Sequence, residues 1–292
     1  MNILNSITRD VWRCEKHPLL QKLHQHIRVR RYHREIWRLR KDTDILIISY
    51  PKSGRTWHRF LLGNYITRTL ELPITKALKT GKITSGIPGG LTRYNHNAAN
   101  CIDAIPPQHP IVATPELWAG RKVIFLVRDP RDVIVSCWFH CHFREGSYSG
   151  TIQEFIRSPF SGIEKILVAH NRWWANRNLA SEFMITSYEK ISNDPGKVLR
   201  DTLRFMGNWP IDDARISESV RAASFENMRD IESAGSIQHH SLKRESLDPR
   251  ARKIREGKVG GFRNHLSDQD IAYIERRIER VGDSFASYYK PD

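Results

Sequence analysis

The stretch Asp44-Ile-Leu-Ile-Ile-Ser-Tyr-Pro-Lys-Ser-Gly-Arg-Thr-Trp57 decides how the rest of this 292-residue chain is read. Its first half is a short unbroken apolar run, which suits a parallel strand buried on both faces. Pro51 and Gly54 stop that strand. From Thr56 to Leu70 the apolar residues Trp57, Phe60, Leu61 and Tyr65 fall on one side of a helix, so the local order is strand, tight turn, helix. At such a junction the helix presents unpaired amide N–H groups and the positive end of its dipole, and both favour an anion. Lys52 adds a full charge, Ser53 and Thr56 add hydroxyls, and Gly54 lets the backbone approach a phosphate closely. The turn is therefore expected to be a P-loop-like anion cradle. It is not the G-x-x-x-x-G-K-[ST] string of Mg²⁺-dependent nucleotide hydrolases, which the chain lacks.

Working outward, Lys122 to Val127 repeats the buried-strand pattern and leads through Arg128-Asp-Pro-Arg-Asp132 into a helix from about Val133. Phe183 to Ser187 is a third strand candidate. Asp194-Pro195 supplies an N-cap and first helical residue, and Gly207 a stop. Strands alternating with helices imply one α/β domain, a central parallel β-sheet flanked by helices. Residues 71–110, rich in Gly, Pro, Thr and Asn, show little periodicity and are expected to be long loops over a substrate-facing surface. Upstream, residues 1–43 contain the basic stretch His26 to Lys41. It is expected to be a helix packed on the domain through Ile27, Tyr32, Ile36, Trp37 and Leu39, with weak membrane-surface contact through its arginines as the alternative.

Lys and Arg number 47 against 32 Asp and Glu, a formal net charge of +15. Such a field attracts polyanions, anionic lipids and multiply charged phosphate ligands without choosing among them. Cys14, Cys101, Cys137 and Cys141 form no C-x-x-C pair, which suits free thiols in a reducing compartment. No apolar leader and no run of about 18 apolar residues is present, so the expected location is cytoplasmic.

The octapeptide Tyr50 to Trp57 resembles the 5′-phosphosulfate loop, Y-P-K-S-G-T-T-W, of the sulfotransferases that use 3′-phosphoadenosine-5′-phosphosulfate (PAPS). Arg55 replaces one Thr, which exchanges a hydroxyl for a positive charge. Arg128 and Ser136, eight residues apart, resemble the pair that grips the nucleotide's 3′-phosphate in that family. Arg255-Glu-Gly-Lys-Val-Gly-Gly-Phe-Arg263 is similar to its R-K-G-x-x-G-D-W-K loop. There Arg255, Gly257 and Gly260 match, Phe262 replaces Trp, Glu256 stands where a base is usual, and Lys258 offers a substitute charge. Tyr188 and Ser224 resemble its adenine-side hydrogen-bonding residues, with Trp57 and Phe225 bracketing the ring. The resemblance spans roughly residues 44 to 266 and makes 44–292 a sulfotransferase domain.

What the resemblance implies is a transfer of the sulfuryl group from PAPS to a hydroxyl or amine of a small acceptor, leaving adenosine 3′,5′-bisphosphate (PAP) and requiring no metal. The donor site is then Lys52, Ser53, Gly54, Arg55, Thr56, Trp57, Arg128, Ser136, Tyr188, Ser224, Phe225, Arg255 and Gly257. Sulfuryl transfer should run like phosphoryl transfer, through a loose in-line transition state, with Lys52 on the leaving oxygen. A neutral imidazole is suited to take the acceptor's proton. His96, in Leu91-Thr-Arg-Tyr-Asn-His-Asn, resembles the T-H-D/E string of bacterial-type members, and His109 in Pro106-Pro-Gln-His-Pro110 is the other candidate.

Two other classes compete. A kinase-like phosphotransferase shares the strand-turn-helix and would need Mg²⁺, with Asp129 imitating a metal-holding carboxylate. A basic nucleic-acid or membrane binder would rest on net charge and the His26–Lys41 stretch, yet no zinc-finger or base-stacking module accompanies it, so no specific nucleic acid is expected.

Overall fold

Four strands form one sheet in the order β2-β1-β3-β4. They are β1 (Ile45–Ser49), β2 (Thr92–Asn95), β3 (Lys122–Val127) and β4 (Glu182–Ser187), all parallel. The computed structural model describes residues 18–289 except 104, 111, 208, 238, 240, 241 and 243–245, so residues 1–17 with Cys14 lie outside the described residues.

Alternate residues of the two central strands enter opposite cores, which is why both strands read as unbroken apolar runs. Leu46, Ile48, Val123, Phe125 and Val127 join one core, and Ile45, Ile47, Ile124 and Leu126 join the other. Helices α1 (Pro18–Asp42), α3 (Pro130–Phe139), α4 (Ile163–Ala175) and α8 (Asp268–Val281) contribute to the first. Helices α2 (Arg55–Thr69), α5 (Pro195–Met206), α6 (Asp213–Ala222) and α7 (Phe225–Ala234) contribute to the second. The expected α/β architecture, a parallel sheet between two helical layers, is what forms.

Local chemistry ends the helices where the sequence marks them. Asp194 accepts from the Lys197 amide at 2.8 Å to open α5, and Gly207, at φ 80°, closes it in the left-handed region open to glycine. Asp129 opens α3 by accepting from the Arg131 amide at 2.8 Å. Immediately after α3 the chain widens into a π-helical turn, His140–Arg144.

Two expectations are corrected. Residues 71–110 are not all loop: they contain β2 and the short helical turns Ile74–Lys76 and Thr80–Ile83. Strand β2, Thr-Arg-Tyr-Asn, lacks an apolar run because it stands at the edge and pairs with β1 alone. Helix α1 does pack on the domain, through Tyr32 and Ile36, flanked by Val29 and Leu39, with Arg28 3.6 Å from Asp103. Trp37 is not on that face: it is 63% exposed, about 100° round the helix from Ile36.

Candidate active site

The carboxyl ends of the strands share one level in the sheet, with Ile48 opposite Asn95, Ser49 opposite Leu126, and Val127 opposite Ser187. The residues that follow are the Tyr50–Trp57 turn after β1, His96 after β2, Arg128 after β3 and Tyr188 after β4. Open parallel sheets place ligands at this edge. A cavity of about 750 Å³ lies there, lined by Lys52, Gly54, Arg55, Thr56, Trp57, His96, Arg128, Ser136, Tyr188, Phe225, Arg255 and Gly257. Segments up to 211 residues apart in the chain thus meet in one space, since Pro51 and Phe262 both line it.

The turn itself is unusual backbone. Lys52 sits at φ 72° and Gly54 at φ 91°, and α2 begins without any side-chain cap. A Cβ on Gly54 would come within 2.7 Å of the Tyr188 ring. The Arg128 guanidinium lies over the same ring at 4.0 Å and donates to the Lys52 carbonyl (3.3 Å) and the Lys258 carbonyl (3.2 Å). Arg128 therefore links the turn to the C-terminal loop. Asp132, one helical turn on, accepts from the amides of Gly260 and Phe262, both at 2.9 Å, and fixes that loop's course.

Aromatic groups stand on the Tyr188 side. Trp57 meets Tyr188 edge-on, with ring centroids 5.4 Å apart, and its indole N–H donates to the Ala223 carbonyl at 2.8 Å. Phe225 lies so close to Gly257 that a Cβ there would be 2.5 Å from the ring. Arg255 stacks on Phe139 at 3.7 Å and is paired with Glu256, which also contacts His265 at 2.9 Å. Glu256 is thus turned toward neighbouring side chains as a counter-charge to Arg255.

Two of the predicted residues do not line the cavity. Ser53 is fully buried, and its hydroxyl has no partner among the described residues. Ser224 is the N-cap of α7, accepting from the Asn227 amide at 3.2 Å. Asp129, the carboxylate that could have imitated a metal holder, is held by Arg131 at 2.6 Å and is also absent from the lining.

His96 lines the cavity and His109 does not. The Nδ1 of His96 lies 2.7 Å from the Ser49 carbonyl, which can only accept, so Nδ1 carries the proton and Nε2 carries the lone pair. Burial and the nearby Arg55 hold its pKa well below the ordinary imidazole value, against the opposing effect of the Ser49 bond. The ring is therefore a neutral base in the free protein. Burial also pulls Lys52 below the usual lysine value, and Lys253 is driven further down by Lys52, by burial and by Arg55.

Sequence reading missed the opposite wall. Lys253, Cys101, Cys141 and the pair His140–Glu145, 3.1 Å apart, all line the cavity. Cysteines distant in sequence act on one another here, and Cys137 Sγ donates to the Pro51 carbonyl at 3.9 Å. Burial alone would raise the Cys101 thiol, but the Cys137 and Cys141 thiols, with His140 and Lys52, bring it well below its ordinary value. His140, Cys141 and Arg144 ride the π-helical turn, a distortion often found at functional sites and invisible to helical periodicity.

Comparison with known proteins identifies the family and the fold. The sulfotransferase domain model matches residues 42–285. Flavonol 3-sulfotransferase of Flaveria bidentis is 27% identical over 263 residues, covering 82% of each chain. Human sulfotransferase 2A1 is 24% identical over 247 residues, covering 78% of this chain and 80% of that protein. Among solved structures, mouse sulfotransferase SULT7A1 complexed with PAP superposes with a TM-score of 0.58 at 18% identity, over 85% of this chain and 87% of that one. Retinol dehydratase, in complex with androsterone and PAP, gives 0.57 at 17% identity, over 83% and 81%. With the family model covering the strand-turn-helix, the cavity and both flanking loops, the chain belongs to the sulfotransferase family and is an enzyme of that class.

Proposed function

We propose that the protein moves the sulfuryl group of PAPS to a hydroxyl or amine of a small acceptor, with His96 as the base and Lys52 on the leaving oxygen. The observation that carries this reading is that His96, its Nδ1 held on the Ser49 carbonyl, lines the same cavity as the Lys52 turn, Arg128 and Arg255. The residues fit a bisphosphorylated adenosine: the turn offers helix amides and Lys52 at one end, and Arg128, Ser136 and Arg255 offer donors at the other. Trp57, Tyr188 and Phe225 supply flat apolar surface for the base. When bound, PAPS supplies an activated sulfuryl group whose departure leaves negative charge on a phosphate oxygen. The ammonium of Lys52 stabilises that charge, while His96 takes the acceptor proton. A cytoplasmic location belongs to the same reading, since three relatives are named cytosolic sulfotransferases of Arabidopsis thaliana.

The direct test is a thermal-shift panel with PAP, ATP and NAD. PAP at about one hundred times its Kd should add about 2.7 kcal/mol, a rise in Tm of roughly 5 °C or more, with smaller shifts for the other two. Equal shifts from all three, or none from PAP, would sink the donor assignment.

A second expectation concerns pH. Because His96 is held low, it stays unprotonated through the ordinary imidazole range, and the acid limb of kcat/KM for PAPS should lie below pH 6.5. Because Lys52 and Lys253 are also held low, the alkaline limb should set in below pH 10.5. An acid limb centred at or above 6.5 would remove His96 from the role.

A further inference from the structure

The cavity gathers more positive charge around the transfer centre than the donor can use. A phosphosulfate carries one negative charge on its phosphate and one on its sulfate. Besides Arg144, which is paired with Glu232, three side-chain cations line the cavity at that end: Lys52 in the turn, Arg55 at the start of α2, and Lys253 on the facing C-terminal segment. Among the described residues none of the three makes an ion pair or a side-chain hydrogen bond. The carboxylates nearby are committed elsewhere. Glu232 pairs with Arg144 at 3.2 Å, Glu145 with His140 at 3.1 Å, and Glu35 accepts from Asn95 Nδ2 at 2.7 Å.

Arg55 and Lys253 line the same cavity as His96, and theirs are the side-chain charges that act most strongly on it. An enclosed ammonium or guanidinium without a counter-charge is costly, and an anion relieves that cost. Once the donor has matched two of the three cations, one remains, next to the position an acceptor hydroxyl must take to reach His96 Nε2. Cys101, Ile102, Cys141 and Met228, which also line the cavity, carry no positive charge.

We propose that the acceptor is a small anionic hydroxy compound, with a carboxylate or phosphate close to the hydroxyl that receives the sulfuryl group, and that Lys253 together with Arg55 grips that anion. This rests on the sulfotransferase reading above and narrows it to a substrate class. Neutral polycyclic alcohols and amines bearing a second positive charge are poor matches to the same wall.

The test is calorimetry on the full chain saturated with PAP and with inorganic sulfate, so that an anion merely occupying the sulfuryl position is displaced. Four phenols that differ in one group are titrated: p-cresol, tyramine, 4-hydroxyphenylacetate and 4-hydroxybenzylphosphonate. At least one of the two anions should bind about tenfold or more tighter than p-cresol, with tyramine weakest, and the stronger of the two tells carboxylate from phosphate. Lys253→Met should bring the anion-to-cresol ratio to within about threefold while leaving PAP affinity within about threefold, and Arg55→Thr should lower the same ratio. Neutral or cationic phenols binding as tightly as both anions would overturn the proposal, as would an anion advantage that sulfate abolishes or that neither variant reduces. Failure to bind PAP would overturn the donor reading and this proposal with it. Tight PAP binding without anion preference would overturn this proposal alone.

Discussion

The His96→Ala variant is expected to lose about 10²- to 10⁴-fold in kcat while its affinity for PAP stays within about threefold of the parent. The separation of the two effects follows from geometry. His96 leaves β2 at the strand edge and holds its Nδ1 proton on the Ser49 carbonyl, so only Nε2 is left for the proposed role. Truncation removes the acceptor for the substrate proton without touching Arg128, Arg255 or the Trp57–Tyr188 aromatic pair. The vacated Ser49 carbonyl loses one donor, a stability loss of about 1 kcal/mol. An acceptor of low pKa should suffer less than an aliphatic alcohol, since it needs less help to release its proton. Near-normal turnover of an aliphatic acceptor, with PAP bound normally, would eliminate His96 as the base and direct attention to His140, the other cavity imidazole.

The difference between what the sequence disclosed and what it hid has a physical cause. Strands β1 and β3 were legible because central parallel strands are buried on both faces and so need continuous apolar side chains, whereas β4, at the other edge, was legible from the local run Phe183, Met184 and Ile185. The turn at Lys52–Gly54 was legible because proline and glycine mark it locally, and the Asp194 and Gly207 caps because capping is a short-range hydrogen-bonding matter. Strand β2 was hidden because an edge position tolerates Arg93 and Asn95, and its pairing is set by a partner some 47 residues away.

The same distinction runs through the site. Residues in contiguous motifs, Lys52 to Trp57 and Arg128 to Ser136, were readable as units. Lys253, His140, Glu145 and the Cys101–Cys137–Cys141 cluster carry no local signature. They become neighbours only when the C-terminal segment folds back over the π-helical turn that follows α3. Ser53 and Ser224 show the converse, motif positions whose hydroxyl is buried or accepts from a helix amide, which a motif does not reveal.

Lys52→Met should reduce kcat by about 10²- to 10³-fold, the loss typical of removing one preorganised donor from a developing negative charge. Methionine is the informative replacement. Lys52 already sits at φ 72°, so another unbranched side chain inherits the same backbone strain and similar packing, and the change isolates the charge. PAP affinity should fall by about tenfold at most, because in the proposed site α2 amides and Arg128 would hold the nucleotide in the ground state and the ammonium would matter most once the bridging oxygen gains charge. A variant with unchanged kcat and a KM for PAPS raised instead would show that Lys52 binds donor and transition state alike. The neighbouring lysine supplies an independent readout. Lys52 is the largest influence depressing Lys253, so its removal should return Lys253 toward the ordinary lysine range and move the alkaline limb of the residual activity to higher pH. If that limb stays where it is in the parent, the two ammonium groups do not share the transfer centre.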